Sequence, residues 1–158
     1  MTADMETRDA IRSVVENIPG ICKLKPEQEE CLLNILNGGD VVALLPTGFG
    51  KSLIYQLLPI VSEKLGRPKA GKAIVVIVSP LVALMEDQVK EAAKLGLCAA
   101  QLGVHNDREI MEGNFSLIFG SPESWILNPK WRAMLASTLY QDNLVAIVDD
   151  EAHVAYKW

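Results

Sequence analysis

Apolar positions along the chain fall into two rhythms. Ile11, Val14, Val15 and Ile18 recur at helical spacing and halt at Pro19-Gly20, which predicts an amphipathic helix over 7–18. A second helix is predicted from Pro26, a favoured first-turn residue, with Glu27, Glu29 and Glu30 near its positive end and Asn37-Gly38-Gly39 at its close. The rhythm then changes to unbroken apolar runs at 41–45 and 73–78, the signature of strands buried on both faces. Shorter runs follow at 98–102, 117–119 and 144–148. Between them the spacing predicts a helix from about Lys51 past Tyr55, bent at Pro59, and another over 81–95. The stretch 121–142 is the least regular, and Pro122, Pro129 and scattered aromatics suggest short helices there. Strands alternating with helices predict an α/β fold: a parallel sheet with right-handed crossovers, flanked by helices and preceded by an N-terminal helix.

Composition narrows the class. With 158 residues the chain is long enough for one domain with a real core. No apolar run approaches the roughly 18 residues of a membrane span. The mixed-charge start, 1–12, is unlike a signal peptide. Cys22, Cys31 and Cys98 are odd in number and lack metal-ligand spacing, so they read as reduced, mostly structural thiols of an intracellular protein. A net charge of −5 does not mark a nucleic-acid binder, so any such role is expected to rest on local surfaces or on parts of the protein outside this chain. The basic stretch 66–72 reads as a solvated surface loop.

Two motifs carry chemistry. After the run 41–45 come Pro46, Thr47, Gly48, Phe49, Gly50, Lys51 and Ser52, and then a helix. A buried strand, a glycine loop whose N–H groups can turn inward and a positive helix end are what a phosphate needs. Lys51 would reach the β- and γ-phosphates, and the Ser52 hydroxyl would take one position on Mg²⁺. An ordinary strand–turn–helix joint is the bland alternative, and the strict pattern wants glycine where Leu45 stands. The second motif decides between them. The run 144–148 leads into Asp149-Asp150-Glu151-Ala152-His153, which puts carboxylates at the end of another buried strand. Phosphoryl transfer to water requires an acid on the metal and a residue on the water. Asp150 is assigned to Mg²⁺, Glu151 to orienting or deprotonating the attacking water, and His153 to coupling the nucleotide state to a neighbouring module.

Asp150-Glu151-Ala152-His153 resembles the DEAH form of the box in superfamily 2 helicases, and 46–52 resembles their first motif. The run Ser79-Pro80-Leu81-Val82-Ala83-Leu84-Met85-Glu86-Asp87-Gln88-Val89 is similar to the next motif of the RecQ family. Leu24-Lys25-Pro26-Glu27-Gln28 resembles that family's adenine-reading motif, and Gly120-Ser121-Pro122-Glu123 the motif that touches the DNA backbone. Trp158 stands where RecQ enzymes begin an aromatic-rich loop.

The resemblance implies a RecA-like P-loop NTPase lobe at 23–158 behind an N-terminal helical extension at 1–22. It implies ATP and Mg²⁺ as cofactors, DNA as partner and 3′-to-5′ unwinding as activity, in nuclear DNA repair and recombination. Gln28 would pair both ways with adenine, helped by Lys25, and Ser79, Pro80, Ser121, Pro122 and Trp158 would meet DNA. Gln28 also reads as an exposed first-turn residue, Ser79 as a strand end before a helix cap, and Gln88 as facing either the site or solvent.

Several positions depart from the family pattern. Phe49 replaces a glycine, at a cost of order 1 kcal/mol if its φ is positive. Lys25 replaces an arginine and lacks its planar stacking face. Asp149 replaces an apolar residue and can perturb its acidic neighbours, and Tyr156-Lys157 stands for Ser-Gln. No motif of a second RecA-like lobe, with its arginines, is present. The isolated chain is therefore expected to bind nucleotide weakly at most and to unwind nothing, as a truncated lobe would. Three other readings remain: a noncatalytic nucleotide-binding or interaction module derived from a helicase, an RNA-directed superfamily 2 ATPase, and, least favoured, a small-molecule kinase.

Overall fold

The computed structural model describes residues 2–18, 24–37, 41–42, 51–67, 71–79, 82–149 and 154–156. The chain runs α1 (Thr2–Glu16), α2 (Pro26–Leu36), β1 (Val41–Val42), α3 (Lys51–Lys64), β2 (Ile74–Val78), α4 (Val82–Lys94) and β3 (Ala99–Gln101). It continues through α5 (Asp107–Met111), β4 (Leu117–Gly120), α6 (Pro122–Leu127), α7 (Pro129–Ala136), α8 (Thr138–Asn143), β5 (Leu144–Asp149) and β6 (Val154–Tyr156). One sheet holds the strands in the order β1-β6-β5-β2-β4-β3.

The middle of the sheet is parallel, as the alternation of strands and helices predicts: β5, β2, β4 and β3 pair side by side in one direction. Successive side chains of a strand face opposite ways. In β2, Val75 and Ile77 therefore enter the core beneath α1–α4, while Ile74 and Val76 face α5–α8. A register irregularity between Ile74 and Val75, opposite Leu144 and Ala146, puts Val145 and Ala146 of β5 against the same core.

One expectation needs refinement. The run 41–45 is expected as a strand of the parallel sheet; its described part, Val41–Val42, does run in the direction of β5, but β6 lies between them and pairs antiparallel with both. β6 itself, which the periodicity does not predict, turns back along β5 with Asp149 opposite Val154 and separates β1 from β5. Antiparallel pairing needs only a short connection, whereas a parallel neighbour requires a crossover. The chain that immediately follows β5 is thus a ready neighbour for it. Pro59, expected to bend α3, lies inside a helix that is continuous from Lys51 to Lys64. Proline there forfeits one hydrogen bond to the preceding turn, and complete burial of Leu57, Leu58 and Val61 offsets the loss.

Helix α1 starts earlier than predicted, at Thr2, and its Ile11, Val14 and Val15 are buried in the core shared with α2 and α3. Over 121–142 the short helices α6, α7 and α8 occur as expected, each entered through a side chain that accepts a backbone N–H: Ser121, Asn128 and Ser137.

Candidate functional site

The parallel register brings the candidate motifs to one edge. Val78, the last residue of β2, is opposite Gly120 of β4 on one side and Asp149 of β5 on the other. The segments that begin at Ser79, at Ser121 and after Asp149 therefore all leave the carboxyl edge of the sheet. Ser79 N–H donates to the Gly120 carbonyl at 2.9 Å, which holds the first two of these segments together. Helix α3 packs against β2 and β5. Tyr55, one turn into α3, meets the ring of Phe119 near the end of β4 edge-on, with centroids 5.9 Å apart. The first turn of α3, containing Lys51 and Ser52, thus belongs to the same end of the sheet. Open α/β sheets bind ligands at this edge, and a helix N-terminus there supplies N–H donors and a favourable dipole for an anion.

Of the residues assigned from the sequence, Pro46, Thr47, Gly48, Phe49, Gly50, Pro80, Asp150, Glu151, His153 and Trp158 lie outside the described residues. For Lys51 and Ser52 the backbone alone is described. Ser79 is buried and Ser121 half-buried. The Ser121 hydroxyl caps α6, accepting Ser124 N–H at 3.2 Å and lying 3.0 Å from the Ser124 hydroxyl. Pro122 fills the first position of that helix, where its missing N–H costs nothing.

Lys25 and Gln28 open α2, which packs on α3. Lys25 is exposed in extended backbone at the N-cap, and its N–H donates to Gln28 Oε1 at 3.0 Å. Gln28 is 4% exposed, so it is not the solvated first-turn residue that its position also allows. Its carbonyl oxygen serves the reach-back half of a capping box. Gln88, for which the sequence left two orientations open, turns its Oε1 inward, out of solvent and without a hydrogen bond.

Two structural supports of this edge went unread in the sequence. Trp125 of α6 lies across Gly120, and a Cβ on that glycine would stand 2.5 Å from Trp125 Nε1 and 2.7 Å from Leu102 Cδ1. The indole N–H points to the Ile77 carbonyl at 3.4 Å. A glycine ending a strand five residues before a tryptophan is the signal that was available. The other support is a set of ion pairs between α1 and α2, at Arg8, Arg12, Glu29 and Glu30. The titration shifts resolved by burial lie away from the edge: the Cys31 thiol is pushed up to about 11 and the Tyr140 phenol is also raised. Among the described residues no cluster of His, Cys, Asp and Glu could hold a metal ion.

A parallel α/β sheet with three motif-bearing strand ends and a helix N-terminus at its carboxyl edge defines a RecA-like nucleotide-binding lobe. The sequence pattern of the DEAD/DEAH box helicases matches residues 25–158, and the chain belongs to that family. Among curated proteins it is 34% identical over 155 residues to the ATP-dependent helicase SGS1 of Saccharomyces cerevisiae, covering 91% of this chain and 10% of that protein. It is 30% identical over 162 residues to the ATP-dependent DNA helicase RecQ of Synechocystis, covering 98% of this chain and 31% of that protein. The resemblance to RecQ helicases seen in the motifs is thereby borne out. The fold is shared with the crystal structure of a hypothetical ATP-dependent RNA helicase from Sulfolobus tokodaii, at TM-score 0.50 and 17% identity, over 92% of this chain and 49% of that one. The chain thus spans from a tenth to under a third of the length of these two curated relatives.

Proposed function

We propose that the chain is the ATP-binding lobe of a RecQ-like DNA helicase that couples Mg-ATP hydrolysis to 3′-to-5′ strand separation. The observation that carries this reading is the convergence of the β2, β4 and β5 ends with the first turn of α3 at one sheet edge. The lobe proper is taken as 23–158, with 1–22 as a helical extension.

On this reading Lys51 and the N–H groups of the loop 46–50 hold the phosphates, and Gln28 with Lys25 takes the adenine. A glutamine carbonyl carries two lone pairs, so Oε1 can serve Lys25 N–H and the adenine amino group together while Nε2 donates to N7. The hydroxyl of Ser52 and the carboxylate of Asp150 are the hard oxygen donors that Mg²⁺ prefers, and Asp150 follows directly on the end of β5 in the sequence. When bound, the ion would offset charge on the phosphate oxygens. Glu151 orients the attacking water and accepts its proton, and His153 transmits the nucleotide state to the adjoining lobe. Ser79, Pro80, Ser121, Pro122 and Trp158 form the DNA-facing set. A role in DNA repair or recombination in the nucleus follows from the same reading. No helix among the described residues is long and apolar enough to cross a membrane.

The test is calorimetric titration of Mg-ATP into the wild-type chain and Lys51→Ala. The reading expects binding that weakens at least about tenfold in the variant, a loss of roughly 1.4 kcal/mol. A folded wild-type chain with no affinity, or equal affinity in both, would contradict it. Competition between single-stranded DNA and RNA of equal length then separates a DNA-directed from an RNA-directed lobe. A second reading, a noncatalytic nucleotide-binding module, is favoured by Phe49 and Asp149. It expects no hydrolysis even when a second lobe is supplied.

A further inference from the structure

Helix α1 grips α2 at both ends. At the first turn of α2, Arg8 Nη2 lies 3.0 Å from Glu30 Oε1, while Arg8 Nη1 and Arg12 Nε lie 3.8 and 3.7 Å from Glu29 Oε1. At the far end, Thr7, 1% exposed, donates its hydroxyl to Asn37 Oδ1 at 3.2 Å, and Asn37 is the C-cap residue of α2. Between these contacts Ile11, Val14 and Val15 pack into the core with Leu32, Ile35 and Leu36.

The Glu29 contacts differ from an ordinary surface pair. Glu29 Oε1 is shielded from solvent and takes no hydrogen bond, so the two guanidiniums are the positive charge that compensates it. A shielded carboxylate without such compensation is disfavoured, and the turn carrying it would shift to reach water. That turn also carries Gln28, one residue earlier. A planar amide reads adenine only when its oxygen and nitrogen face N6 and N7 together, and such a constellation tolerates errors of about 10–20°. Lys25 N–H fixes Oε1 from one side, and the arginines fix the backbone turn from the other.

We propose that Arg8 and Arg12 are positioning residues for base selection: through Glu29 and Glu30 they hold the first turn of α2 and so set the plane of the Gln28 amide. This inference rests on the reading of Gln28 as the base-contacting residue. It gives the N-terminal helix a part in choosing adenine over guanine, although α1 itself precedes every nucleotide motif in the chain.

The experiment compares Mg-ATP and Mg-GTP affinities by calorimetry for the wild-type chain, Gln28→Ala, Arg8→Ala/Arg12→Ala and the swap Arg8→Glu/Glu30→Arg, with thermal unfolding in parallel. The wild-type chain should prefer ATP, and Gln28→Ala should erase the preference. The double alanine variant should reduce the ATP-to-GTP ratio about fivefold, as expected for losing a small set of ion pairs that act on binding geometry. The swap, which sets a carboxylate beside the shielded Glu29 Oε1, should not restore it. Should the double variant fail to fold, Arg12→Ala alone, at a position 65% exposed, carries the same comparison with a smaller drop. A lost ratio in Gln28→Ala with an unchanged ratio in the folded arginine variants overturns the positioning role alone. An equal weakening of ATP and GTP in those variants makes the arginines a structural staple and also overturns it. A ratio unchanged in Gln28→Ala, or no ATP preference in the wild type, overturns the reading of Gln28 and this inference with it.

Discussion

The two faces of the sheet are covered by different kinds of helix. On one side α1–α4 are 15, 11, 14 and 13 residues long and bury mainly aliphatic side chains, with Leu32, Leu57, Leu58 and Val61 wholly inaccessible. On the other side α5–α8 have 5, 6, 8 and 6 residues. Helices so short have almost no stability of their own, because nucleation cost is spread over few hydrogen bonds. They are held instead by side-chain caps at Asn106, Ser121, Asn128 and Ser137 and by aromatic anchors. Trp125 reaches the Ile77 carbonyl, the Tyr140 hydroxyl donates to the Ile110 carbonyl, and Trp131 packs edge-on against Trp125 at 6.5 Å. One face is stabilised by distributed burial, the other by a few specific contacts. The proposed nucleotide groups Gln28 and Lys51 sit on helices of the first face, whereas Ser121 opens the second.

The largest effect should come from removing an anchor. Trp125→Ala is expected to cost about 4 kcal/mol in urea unfolding, and Leu57→Ala, in the aliphatic layer, about 3 kcal/mol. The reverse order would break the contrast between the faces. Gly120→Ala should cost about 2 kcal/mol, because the added methyl meets Trp125 and Leu102 well inside contact distance. Combining it with Trp125→Ala should relieve most of that cost, and simple additivity would show that the clash is not the cause.

Smaller losses are expected at the caps. Asn106→Ala and Asn128→Ala each leave backbone N–H groups of a short helix without their acceptor, at about 1 kcal/mol apiece. The last effect is confined to alkaline pH. Burial raises the Cys31 thiol to about 11, so the unfolded chain loses this proton first as pH rises. The contribution is complete below roughly pH 8.5, the unfolded thiol value, and is lost as pH climbs through the folded value. Denaturant midpoints should therefore fall in alkali, and Cys31→Ala should flatten the early part of the fall. Tyr140, also raised by burial, acts with the same sign at higher pH. In the native chain Cys98, which is exposed, should alkylate well before Cys31.

How much of this was legible depended on the same contrast. Helices α1, α2 and α4 announce themselves because long amphipathic stretches average over many positions, and β2, β4 and β5 because unbroken apolar runs between helices have few other uses. Cap and anchor on the second face stand only three or four residues apart, too short a stretch to show a period, so its helix bounds emerged only from the fold. β6 was missed because three residues behind an acidic run carry too little pattern. The position of β1 next to β6 depends on pairing that no local signal encodes. At the site, the motifs named the residues, and parallel register explained why they converge. The α1–α2 ion pairs were not foreseen, since Arg8 and Glu30 are distant in sequence and each looks like an ordinary solvated charge.

Hydrogen–deuterium exchange with and without saturating Mg-ATP tests the central claim most directly. The account predicts added protection at 25–29, at 46–53, and at the strand ends around Ser79 and Asp149, with α7 and α8 unchanged and the effect absent in Lys51→Ala. Protection confined to the short-helix face, or identical in wild type and variant, would contradict a nucleotide site at the carboxyl edge of the sheet.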